Sequence, residues 1–199
     1  MIWVRSDAIA EVAAAIADGE IAIVPTETVY GIAATLDPDA LLKVFHAKGR
    51  PDHKPLIVGV ANADMARQLV CEWPAKADAL AERFWPGPLS LVLPKAANIP
   101  YLVTAGGSMV AVRAPKHDVT LRLIELVGKP LVLTSANRSG GSPPKSAAEA
   151  VAQLGMAVAY VIDDGPTSIG IESTVYDIAA DTVLRQGAIS AEEIRLVRD

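Results

Sequence analysis

The chain has 199 residues, of which 51% are hydrophobic and 21% charged, with a formal net charge of -5. That length and composition suit a folded globular unit with a substantial core and exclude a disordered chain. The acidic balance excludes a global pull towards nucleic acid, so RNA binding would need a local basic groove.

The opening Met-Ile-Trp-Val-Arg-Ser-Asp lacks the basic and then apolar order of a signal peptide. Ile2-Trp3-Val4 reads as a short strand. Ser6 is the expected N-cap of a helix whose apolar positions are Ile9, Val12, Ala13 and Ile16, closing at Gly19. Ile21 to Val24 is a continuous apolar run, as in a strand buried on both faces. It stops at Pro25, and the polar stretch Thr26-Glu27-Thr28-Val29-Tyr30-Gly31 follows. A strand end of that kind is a common ligand site in an α/β sheet.

Asp37-Pro38 predicts a helix start, an N-cap with proline at the first turn. Leu41, Leu42, Val44 and Phe45 give that helix its apolar face, and Lys48-Gly49 ends it. Leu56 to Val60 reads as a strand, Asn62 as the cap of a helix through Val70, and Pro74 to Phe84 as another helix. The single Cys71 excludes an internal disulfide and a multi-cysteine metal cluster. It fits a reducing, cytoplasmic setting, and the helical pattern puts it in the core. Trp85-Pro86-Gly87-Pro88 breaks the chain before a strand at Leu89 to Leu93.

Met109 to Val112 predicts a strand ending at Arg113, Val119 to Val127 a helix, and Leu131 to Leu133 a strand. A helix from Ser146 to Leu154 and a strand from Val158 to Ile162 follow. Ser173 to Tyr176 and Thr182 to Arg185 read as a hairpin. Ser190-Ala191-Glu192-Glu193 has the spacing of a capping box. No apolar run reaches the length of a membrane span, and no linker or repeat divides the chain. The expectation is one α/β domain over residues 1–199, with a largely apolar mixed sheet.

Two loops carry candidate chemistry. Lys48-Gly49-Arg50-Pro51, with Lys54-Pro55 just after, places three cations among residues that stiffen or sharply turn the chain. Such a loop can hold positive charge against a phosphate, although a solvated helix end explains the spacing equally well. Ser135, Asn137, Ser139 and Ser142 follow an apolar strand. They suit a phosphate, ribose or base edge, or a turn that satisfies its own backbone, and taken alone they favour the turn. The two loops are expected to face one another across a nucleotide. Arg113, at a strand end, requires an acidic partner, internal or from a ligand. His46, His53 and His117 lack metal or triad spacing and read as surface or helix-end residues. Trp3, Trp73 and Trp85 read as packing residues.

Six stretches occur in order: Pro25 to Gly31, Lys48 to Pro51, Trp85 to Leu89, Val110 to Pro115, Ser135 to Gly140 and Glu172 to Val175. In these the chain resembles the YrdC/Sua5 family, the threonylcarbamoyl-AMP synthases, over nearly its whole length. It is similar to the short, single-domain form. The resemblance implies a single-domain, twisted, open mixed sheet with flanking helices and a concave groove. It implies formation of threonylcarbamoyl-AMP and pyrophosphate from L-threonine, bicarbonate or CO2 and ATP, with Mg2+ accompanying ATP. Partner enzymes would move the product's acyl group to adenosine 37 of tRNA.

The resemblance places Lys48 and Arg50, with Ser135 and Asn137, at the catalytic phosphates. It puts Arg50, Lys54, Ser135, Asn137, Ser142 and Arg185 on ATP, and Thr28, Arg113 and Ser173 on threonine. No protein-built metal site is implied. Ser90, Pro144 and Gln186 depart from the family pattern, and Gly59 stands where some members carry a histidine near the threonine. Related readings are a YciO-like paralogue and a carbamoyltransferase of hydrogenase maturation. The latter belongs to much larger, cysteine-richer chains. A non-catalytic RNA-binding module is the reading from another class, tested by salt-dependent RNA binding without turnover.

Overall fold

A computed structural model describes residues 1–5 and 8–197, so the N-cap expected at Ser6 lies outside the described residues. In chain order the elements are β1 (Ile2–Arg5), α1 (Ile9–Ala17), β2 (Ala22–Val24), β3 (Gly31–Ala34), α2 (Pro38–Lys48) and β4 (Ile57–Gly59). Next come α3 (Ala63–Arg67), α4 (Ala75–Phe84), β5 (Leu89–Pro94), α5 (Tyr101–Thr104), β6 (Met109–Arg113) and α6 (Asp118–Val127). The rest are β7 (Leu131–Ser135), α7 (Ala147–Leu154), β8 (Tyr160–Asp163), β9 (Thr174–Asp177), β10 (Thr182–Arg185) and α8 (Ala191–Arg195). All ten strands join one mixed sheet in the order β1-β8-β2-β3-β7-β4-β6-β5-β9-β10.

The apolar run at β2 has a direct structural cause. Ile21 and Ile23 pack in a cluster with residues of α2 and α7. Ala22 and Val24 point the other way, into a cluster with residues of α1 and α6. Because side chains alternate along a strand, both faces of β2 need apolar residues. A third cluster packs α3, α4 and α8 around β4, β5 and β6. Thus helices cover both faces, as the predicted α/β class requires.

Some expectations shift. The sequence does not predict β3, because Gly31, Ala33 and Ala34 have little intrinsic strand preference. It forms because β2 and β7 both pair with it, antiparallel, and all four of its residues are buried. α3 stops at Arg67 rather than Val70, which bridges to Lys95 instead. β7 runs on to Ser135, which pairs with Gly31. Leu42 is exposed, since Leu41, Val44 and Phe45 already form the buried stripe of α2. Cys71 is exposed as well, its thiol donating to the Lys95 carbonyl. That corrects the core placement, which followed from extending α3 too far.

Candidate functional site

Helix α2 delivers the first cations. The Asp37 carboxylate accepts from the Asp39 amide at 2.9 Å, and Pro38 follows, so the start is fixed as predicted. At the other end Gly49 adopts φ 55°, a left-handed turn that glycine takes at least cost. The turn sends Lys48 and Arg50 in different directions. Arg50 lines a cavity of about 580 Å³ that also exposes Thr28, Ser135, Arg113, Ser173 and Arg185. Lys48 is not on that lining. Its side chain is buried, and its ammonium donates to the Ser135 carbonyl and, at 2.8 Å, to the Asn137 carbonyl.

The two loops therefore touch one another directly, instead of facing across a gap at this point. Asn137 is also off the lining. Its Nδ2 donates at 2.8 Å to the carbonyls of Arg138 and Gly141 and closes the loop on itself. The turn reading thus describes Asn137, while Ser135 reaches the cavity. Lys54 and Ser142 are exposed and lie outside the lining.

Arg113 has the acidic partner that its position demanded. Glu27 Oε2 lies 2.6 Å from its Nη2, and both side chains are about nine-tenths buried or more. Arg113 Nε also donates to the Gly87 carbonyl at 3.0 Å. The sequence shows Glu27 only as part of a polar strand end; the requirement that a buried guanidinium be neutralised is the signal that points to it. On the far wall, Arg185 pairs with Glu172 at 2.8 Å and donates to the Ser173 carbonyl and hydroxyl. The Ser173 hydroxyl shares a 2.9 Å hydrogen bond with Ser90, so the Ser90 departure still keeps a hydroxyl partner there. Thr28 is linked to Thr26 by a hydroxyl pair at 2.8 Å.

The cavity carries both signs of charge, and two of its three arginines are already ion-paired. Arg50, Arg113 and Arg185 line it, with Glu172 and Asp177. Arg50 has no carboxylate partner among the described residues, and its guanidinium is anchored by the Lys54 and Pro55 carbonyls. Burial pushes its pKa down, Arg185 adds to that shift, and Glu172 opposes it. Burial also holds Arg113 below its ordinary value, against the opposing pull of Glu27. The lysine ammonium at 48 is pushed down to about 7, by burial first and then by Arg50. An anionic ligand would relieve this crowding of cations.

The remaining lining is apolar, including Val29, Ile57, Ala111, Leu133 and Val175. Gly59 explains part of that surface. A Cβ there would sit 2.2 Å from Leu133 Cδ1, so Leu133 occupies the space a larger residue would need. His46 and His53 are exposed, whereas His117 is half-buried at the start of α6, 3.8 Å from Asp164. Trp73 and Trp85 pack with ring centroids 6.1 Å apart, but Trp3 is half-exposed on edge strand β1. Among the described residues no group of three or more His, Cys, Asp or Glu converges as a metal site. No described helix is long and apolar enough to cross a membrane.

Comparison with known proteins gives a consistent result. The family model for Sua5, YciO and YrdC proteins, described as "Telomere recombination", matches residues 14–187. A threonylcarbamoyl-AMP synthase of Pyrococcus abyssi is 44% identical over 92% of this chain, which spans only 54% of that relative. A putative threonylcarbamoyl-AMP synthase of Mycobacterium tuberculosis is 38% identical over 96% of this chain and 88% of its own length. The crystal structure of P. abyssi Sua5 complexed with L-threonine superposes with a TM-score of 0.96 at 41% identity. It covers 99% of this chain and 61% of the Sua5 chain. With the fold, the ordered motifs and these matches in agreement, the chain belongs to the Sua5/YciO/YrdC family.

Proposed function

We propose that the chain is a nucleotidyltransferase that makes threonylcarbamoyl-AMP and pyrophosphate from L-threonine, bicarbonate or CO2 and MgATP. The observation that carries this reading is one cavity holding both Arg50, with no carboxylate partner among the described residues, and the Arg113, Thr28 and Ser173 group. The first is suited to phosphate. The second offers a planar guanidinium for a carboxylate beside two hydroxyl side chains for an amine or alcohol. L-threonine presents all three groups, and a relative similar over nearly the whole chain binds it.

In the reaction, the threonine amine adds CO2 and loses a proton to become a carbamate. A carbamate oxygen then bonds to the α-phosphorus of ATP. The bond from that phosphorus to the β-phosphate bridging oxygen breaks, and pyrophosphate leaves. Such a transfer depends on positioning and charge stabilisation more than on a covalent enzyme intermediate. Arg50 and Arg185 are placed to meet phosphate charge, and Ser135 to meet the nucleotide from the β7 side. Lys54 and Ser142, exposed outside the cavity lining, would meet ATP only where it extends beyond that lining. Arg113, held by Glu27, takes the threonine carboxylate, and Thr28 and Ser173 take its amine and hydroxyl. Leu133 and Val175 offer surface for the methyl group. Mg2+ would accompany ATP, bound mainly through phosphate oxygens and water, and would offset phosphate charge beside Arg50.

The product is a mixed anhydride, a reactive acyl donor. Its consumption by enzymes that acylate adenosine 37 of tRNA in the cytoplasm completes the reading. The test is pyrophosphate release with each substrate omitted in turn. Release is expected only with L-threonine, bicarbonate and MgATP together. Unchanged release without threonine would overturn the assignment. Salt-sensitive RNA binding with no turnover at all would replace it by an RNA-binding role.

A further inference from the structure

We propose that Lys48 and Asn137 are positioning residues that clamp the 135–141 loop, and that they do not contact the nucleotide. The spacing of Lys48 with Arg50, and of Ser135 with Asn137, places all four as plausible phosphate ligands. The structure divides each pair. Arg50 and Ser135 line the cavity, and Lys48 and Asn137 do not.

Residue 48 grips the loop at three alternate positions. Its ammonium donates to the carbonyls of Ser135 and Asn137, and its own carbonyl accepts from the Ser139 amide at 2.8 Å. Asn137 completes the clamp from within the loop through its two 2.8 Å bonds to Arg138 and Gly141. The Gly141 amide in turn donates to the Arg138 carbonyl at 2.8 Å. Both Nδ2 donors of Asn137 are thus spent on loop carbonyls, and its Oδ1 is buried as well. Lys48 is only 2% exposed. At least two of its three N–H donors are committed to carbonyls, and carbonyls bound by an ammonium are held more firmly than by neutral donors. Its place is therefore behind the wall that Ser135 presents to the ligand. The ammonium's low pKa agrees with a group enclosed by protein.

The loop-clamp role can be tested without any substrate, so its failure is distinct from failure of the proposed reaction. Hydrogen exchange would be followed in ligand-free parent, Lys48→Met, Lys48→Arg, Asn137→Ala and Arg50→Met proteins. Lys48→Met keeps an unbranched apolar stem, one atom shorter, but removes the donors. Loss of a charge-assisted bond predicts that the Ser139 and Gly141 amides exchange roughly ten- to a hundredfold faster. Lys48→Arg, which can still bridge carbonyls, should restore part of the protection. Arg50→Met should leave it unchanged.

ATP titration and turnover then separate clamp from contact. Both should worsen in Lys48→Met, and Asn137→Ala should add little on top, because the two residues act as one unit. Arg50→Met should add its full loss. Unchanged loop exchange with lost ATP affinity in Lys48→Met would overturn the proposal and make the ammonium a direct phosphate ligand. Should Lys48→Met not fold, Asn137→Ala decides: normal Gly141 exchange in that variant refutes the clamp.

Discussion

At the residue scale, a buried lysine has consequences for stability as well as for geometry. The folded-state pKa of Lys48 is about 7, against 10.5 for the free group. Below that lower value both folded and unfolded chains carry the charge, and the full cost of burying it is present. Between the two values the unfolded chain holds a proton that the folded chain has released. Stability must then rise with pH across this window. Other groups titrate there too, so the prediction is a difference between proteins. Urea denaturation of parent and Lys48→Met at several pH values should show the parent gaining relative to the variant above about pH 7. Parallel pH profiles would mean that the ammonium is not buried as described. The neutral amine still has two N–H groups for the Ser135 and Asn137 carbonyls, so the loop contact survives deprotonation.

At the element scale, helix α2 shows how much of a site depends on where a helix stops. Gly49 at φ 55° has open space around its Cα, with no atom within 4 Å of an added Cβ. Gly49→Ala should therefore cost stability through backbone conformation alone, roughly 1–2 kcal/mol, read as a lower urea midpoint with an unchanged slope. An unaltered midpoint would show that the turn tolerates a side chain. The start and end of α2 were legible because capping chemistry is local: Asp37, Pro38 and Gly49 announce it within the sequence. The capping box was legible for the same reason, and Ser190 and Glu193 form it. β3 was not legible, because its two neighbouring strands make it a strand. The split between Lys48 and Arg50 was equally hidden. Both are cations after an apolar stripe, and only the tertiary position of the 135–141 loop decides which one is enclosed.

For the whole molecule, the sheet order determines how the site is divided. Arg113 ends β6, Ser173 precedes β9 and Arg185 ends β10, while Ser135 ends β7. β7 and β6 flank β4, and β5 joins β6 to β9, so one ligand set would span six adjacent strands of the sheet. Among the described residues edge strand β10 pairs with β9 alone, and ligands that engage Arg185 should tie that edge to the interior. Ligand binding to the folded state raises stability by mass action, by about 2.7 kcal/mol at a hundredfold excess over Kd. L-threonine and MgATP should accordingly each raise the parent's melting temperature with concentration. Arg113→Ala removes the fork proposed for the threonine carboxylate but leaves Arg50 and Ser135 in place. It also strands Glu27, so the variant's own baseline will fall, and the useful quantity is the shift each ligand adds. At the same threonine concentration the threonine shift should fall to between about a half and a seventh of the parent's, matching a loss of roughly ten- to a hundredfold in affinity for a charge-assisted contact, while the ATP shift persists. Arg113→Lys should recover only part of it, because an ammonium cannot make two parallel bonds to a carboxylate. Should threonine still stabilise Arg113→Ala while ATP no longer does, Arg113 belongs to the nucleotide wall, and threonine must then be held chiefly by Thr28, Ser173 and the backbone around them.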